Sequence, residues 1–118
     1  MRVLRVAGVG IVLGTLLSIG GGALPADAGA VRAAWTWPVA QPSVVRAYAP
    51  PATRYSAGHR GIDLDAPLGT PVMAPADGVV VFAGPVGDRP VLSISHGGGI
   101  VSSFEPVTSG LALGRAVR

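Results

Sequence analysis

The residues of this chain best suited to chemistry lie in Gly58-His59-Arg60-Gly61-Ile62-Asp63-Leu64-Asp65. His59 and Asp63, four apart, offer an imidazole nitrogen and a carboxylate oxygen, both ordinary donors to zinc at about 2.0–2.2 Å. On a straight strand four residues span about 13 Å, too far for parallel side chains to share one ion. The segment must therefore bend between the two, and Gly61 is the residue that allows it at little steric cost. Spacing alone leaves plainer roles open, a turn or cap for the aspartate and a solvated loop position for the histidine. The rest of the inventory narrows the field by exclusion. There is no Cys, so no disulfide, thiolate zinc cage or cysteine nucleophile. All nine basic residues are Arg, which removes Schiff-base chemistry, a phosphate-loop lysine and any lysine-borne swinging cofactor.

These residues need elements to hold them, and 118 residues with 49% hydrophobic and 13% charged content suffice for one small domain. Such a balance is too apolar for a disordered tail, and 11 prolines scattered from Pro25 to Pro106 would break any long heptad helix. The net charge of +3 comes without a basic cluster interleaved with aromatics, which argues against nucleic-acid binding. Met1-Arg2-Val3-Leu4-Arg5 followed by an uncharged run to Ala26 and the small-x-small site Ala26-Asp27-Ala28 reads as a signal peptide over 1–28. The competing reading is an uncleaved membrane anchor, since the run is about the 20 residues a span requires.

After a linker at 29–34, residues 35–118 are punctuated as an all-β domain, with short apolar runs between Gly and Pro. Strands are expected at Val44 to Tyr48, Thr70 to Ala74, Gly78 to Ala83, Val91 to Ser95, Ile100 to Phe104 and Val107 to Leu113. Val79-Val80-Val81-Phe82 is apolar on both faces, as a doubly covered strand would be. Leu92 and Ile94 alternate with Ser93 and Ser95, and Gly97-Gly98-Gly99 turns that run back as a hairpin.

His59-Arg60-Gly61-Ile62-Asp63-Leu64, then Gly69-Thr70-Pro71-Val72-Met73-Ala74, Asp77-Gly78-Val79-Val80 and Ile94-Ser95-His96-Gly97-Gly98-Gly99, resembles the core of the lysostaphin/LytM-type zinc metallopeptidases. Trp37-Pro38 looks like the point where the family's domain begins, so the resemblance covers about Trp35 to Arg118. It implies antiparallel sheets of the duplicated hybrid-motif, barrel-sandwich-like fold, a groove, one zinc ion and cleavage of peptides in bacterial peptidoglycan. His59 and Asp63 would be the first two zinc ligands. A carrier domain of the biotinyl or lipoyl type, which Val72 to Val79 also resembles, is excluded by the absence of lysine.

The chain departs from the family twice. The family draws its third ligand and a catalytic His from a late H-x-H motif, which does not occur before Arg118, and Phe104-Glu105-Pro106 carries proline where the family has a catalytic His. A catalytic zinc takes three protein ligands and a water, so two ligands imply weak zinc binding and little hydrolysis. Among the remaining candidates, His96 reads as an exposed turn histidine, Glu105 as a substitute base, Asp77 as a strand terminator, and Asp65 as a turn residue or an orienter of His59. Two functions follow. One is a secreted zinc metalloendopeptidase of peptidoglycan, truncated at its C-terminus; the other is a non-catalytic relative that binds wall peptides or regulates a cell-wall amidase.

Overall fold

The computed structural model describes residues 3–7 and 35–118. Most of the expected leader run lies outside the described residues. Among the described residues seven strands form one antiparallel sheet: β1 (Val3–Ala7), β2 (Val44–Arg46), β3 (Gly61–Asp65), β4 (Gly78–Val86), β5 (Arg89–Ser95), β6 (Val101–Glu105) and β7 (Ala116–Val117). Their order across the sheet is β2-β3-β1-β6-β5-β4-β7. The fold is all-β, as the Gly and Pro punctuation requires. Among the described residues no helix is long and apolar enough to cross a membrane.

One face of the sheet is the core. Leu64 of β3, Phe104 of β6 and Val80 of β4 are fully buried there, joined by Leu4, Leu92 and Ile94. The pairing explains the set: Leu4 stands opposite Leu64, Leu92 opposite Phe104, and Val80 opposite Ile94, and directly opposed residues share a face. The other face is polar in its middle, where Ser93 Oγ and Ser103 Oγ are 2.7 Å apart. The alternation read at Leu92 to Ser95 is thus realised, and Gly97, Gly98 and Gly99 turn β5 into β6 at positive φ of 84°, 59° and 77°, conformations that only glycine adopts without strain.

Several expectations fail for local reasons. Thr70 to Ala74 is a loop: Pro71 and Pro75 supply no donor for a ladder, and the chain is pinned instead by Met73 N–H to the Pro38 carbonyl at 2.8 Å. Val107 to Leu113 is irregular as well, since the Ser109 hydroxyl accepts the Leu111 N–H at 3.0 Å and turns the backbone locally. Val79 to Phe82 is not doubly covered. A bulge between Val80 and Phe82 breaks the alternation, and of the four only Val80 is buried, Val81 being 49% exposed. Val3–Ala7, which lies within the expected leader, pairs with both β3 and β6.

Candidate metal centre

His59 and Asp63 meet. Ala49 forms an isolated bridge with His59, with reciprocal N–H to carbonyl bonds of 2.9 and 2.7 Å, and the chain then bends at Arg60 and enters β3 at Gly61. The bend lies one residue before the glycine expected to make it, and Gly61 does not have positive φ. Gly58 allows the preceding approach: a Cβ there would lie 2.7 Å from the backbone nitrogen of Pro51. The result is a buried pair, His59 Nε2 at 2.9 Å from Asp63 Oδ1.

The other ring nitrogen fixes the chemistry. His59 Nδ1 lies 2.8 Å from the Ala47 carbonyl, which only accepts, so Nδ1 carries a proton and donates it. Nε2 is then the nitrogen aimed at the carboxylate. The 2.9 Å contact between Nε2 and Oδ1 is satisfied by one proton between the two atoms or by a cation shared between them. Asp65 does not orient His59, since both ring nitrogens are engaged elsewhere; its own N–H bonds the Ser43 carbonyl at 2.9 Å.

The remaining candidates are held in other work. His96 is a bonded histidine and not a solvated turn residue: Nδ1 donates to the Asp77 carbonyl at 2.8 Å, the Ser102 hydroxyl donates to Nε2 at 2.7 Å, and Trp35 packs edge-on with ring centroids 4.8 Å apart. Asp77 ends the loop before β4 and contributes its carbonyl to that bond. Ser102 is buried at 5% exposure, so the Ser–His contact is closed to a substrate. Glu105 lies 3.6 Å from the Arg89 guanidinium.

A family model described as Peptidase family M23 matches residues 57–116, which contain the His59–Asp63 pair and the β5–β6 hairpin. The chain belongs to this family. Among curated proteins, the M23 chain is 41% identical over 97 residues to Uncharacterized protein Rv2891 of Mycobacterium tuberculosis strain H37Rv, and equally so to Uncharacterized protein Mb2915 of Mycobacterium bovis. Each match covers 81% of this chain and 38% of the relative, so the M23 chain spans well under half the length of the relatives it matches. No solved structure matches it at a significant level.

The M23 resemblance implies zinc, and the donors can be tested against it. An imidazole Nε2 and a carboxylate oxygen on one buried site suit that ion. The set is nevertheless short: among the described residues no group of three His, Cys, Asp or Glu side chains could hold a metal. A catalytic zinc takes three protein ligands, so the described residues do not make up the M23 chemistry. Pro106 adds to the shortfall, because proline has no side-chain group to carry a proton.

Proposed function

We propose that this M23 chain is an exported protein that acts on bacterial peptidoglycan peptides, that His59 and Asp63 are its two ligands for a single zinc ion, and that it binds the metal weakly and hydrolyses little. The observation that carries the reading is the buried Nε2 to Oδ1 contact of 2.9 Å with no third donor among the described residues. Family membership supports a peptide substrate from the cell wall, and the basic start, apolar run and Ala26-Asp27-Ala28 site support export. Pro106 favours a second reading, a non-catalytic relative that binds wall peptides or regulates a cell-wall amidase.

The test uses the full chain. Zinc titrated by calorimetry is expected to bind weakly and to lose that binding in His59→Ala and in Asp63→Ala. Purified peptidoglycan is expected to retain the protein on sedimentation, with little release of free amines. Zinc binding unchanged in Asp63→Ala would remove that ligand, and failure to sediment with peptidoglycan would sink the wall reading. Rapid amine release would decide against the non-catalytic alternative.

A further inference from the structure

The stretch that delivers His59 to its site is basic and aromatic. Residues 35–62 hold Arg46, Arg54 and Arg60 with no Asp or Glu, and every Trp and Tyr of the chain falls within them. These arginines are too far apart to form a cluster in sequence, but folding joins two of them. The Arg60 guanidinium donates to the Arg54 carbonyl across six residues, and the Arg54 guanidinium lies 5.7 Å from the centre of the Tyr55 ring. The loop between them is pinned: Thr53 N–H donates to Ser56 Oγ at 2.8 Å, and Ser56 Oγ donates to the Thr53 carbonyl at 3.1 Å. Both arginines are exposed and Tyr55 is 90% exposed. Neither guanidinium has a carboxylate partner among the described residues.

We propose that Arg54, Tyr55 and Arg60 form a binding site for an acidic peptide beside the candidate metal centre. A guanidinium presents paired N–H donors that match the two oxygens of a carboxylate. Arg60 spends one donor on the Arg54 carbonyl, which holds the two side chains on one loop and leaves its other donors for a ligand. The Tyr55 ring steadies Arg54 and offers apolar surface to the body of the same peptide. Charge complementarity selects an acidic peptide over a neutral one. The next carboxylate along the chain, Asp63, is buried and bonded to His59, so no acid within or just after 35–62 offsets the exposed positive charge. Position selects a peptide over a nucleic acid, because Arg60 directly follows His59 and both lie within the part of the chain matched by the peptidase family. This inference rests on the reading of the chain as acting on wall peptides, and it names the feature of that substrate that is recognised, a free carboxylate.

The probes are N-acetyl-Ala-Glu-Ala-Ala amide and the same peptide with Gln in place of Glu, which differ by one carboxylate. Each is titrated into the full chain and followed by the backbone amide resonances. The Glu peptide is expected to shift Arg54, Tyr55 and Arg60 and to bind about tenfold more tightly than the Gln peptide. Arg54→Gln and Arg60→Gln are each expected to lose about threefold for the Glu peptide, and the double variant to lose the discrimination. Tyr55→Phe keeps the ring and binds as the parent does, whereas Tyr55→Ala binds more weakly. Arg118→Gln makes the same change of charge at an exposed position elsewhere and is expected to bind as the parent does. Equal affinity for the two peptides, parent-like discrimination in the folded double variant, or an equal loss in Arg118→Gln overturns the site. A single-stranded oligonucleotide that binds these residues more tightly than the Glu peptide overturns the assignment to a peptide. Sedimentation with purified peptidoglycan separates this inference from the reading beneath it. If parent and double variant sediment alike, the site fails and the wall reading stands; if neither sediments while the Glu peptide still binds the loop, the wall reading fails first.

Discussion

Ser102 Oγ stands 2.7 Å from His96 Nε2, and that bond decides which histidine is left for chemistry. With Nδ1 donating to the Asp77 carbonyl and Nε2 taking the hydroxyl proton, His96 has no free nitrogen. Ser102→Ala leaves Nε2 without its donor and is expected to cost about 1–3 kcal/mol in urea unfolding. Zinc binding should be unchanged. A serine-reactive fluorophosphonate is expected to leave Ser102 unlabelled because the hydroxyl is buried, and labelling there would show that the site opens.

The same reasoning applies at the buried pair. Asp63→Ala removes the acceptor of a buried imidazole, and loss of a hydrogen bond involving a charged group costs about 1.5–3 kcal/mol. Denaturant midpoints at constant m-value check this. A change below about 0.5 kcal/mol, the range of an ordinary surface substitution, would mean that the pair contributes nothing to the fold.

Gly58 permits the approach that brings His59 to its site. A Cβ there would meet the backbone nitrogen, Cα and Cβ of Pro51 at 2.7, 2.8 and 2.8 Å, and backbone does not move aside as a flexible side chain does. Gly58→Ala is expected to lose about 1–3 kcal/mol and to shift the His59 imidazole resonances, because the Ala49–His59 bridge is displaced. Unshifted resonances with a normal melting temperature would contradict this packing.

Two apolar residues on the strands either side of β5 should differ sharply. Phe104 is 1% exposed and Val81 49% exposed. Phe104→Ala is expected to cost about 3–5 kcal/mol, and Val81→Ala no more than about 0.5 kcal/mol. Chemical denaturation of both separates the bulged, one-sided β4 of the structure from the doubly covered strand that its composition suggests.

Where local chemistry was decisive, the structure was readable in advance. The triple-glycine turn, the Leu92 to Ser95 alternation and the convergence of His59 with Asp63 all follow from short-range signals. Tertiary context decided the rest. Thr70 to Ala74 has strand-like residues, but its prolines and the Pro38 carbonyl give its backbone other partners. Val79 to Phe82 reads as uniformly apolar, and nothing in those four residues announces a bulge. His96 bonds a carbonyl 19 residues away, which no local window contains. Val3–Ala7 is the hardest case, since a five-residue alternation within a leader-like segment carries too little pattern to reveal a partner in β6.

The placement of β1 also sets an order of events in time. Its partners in β6 are synthesised about 100 residues after Arg5, which at roughly 5–20 residues per second leaves the N-terminus waiting on the order of 5–20 s. Pairing between such distant segments also carries the slow closure typical of non-local contacts. If residues 1–28 are the proposed export leader, an export machine meets them before Val101–Glu105 exists. On that proposal those five residues are in a race between capture and ribosomal progress, and molecules that escape capture pair β1 with β3 and β6.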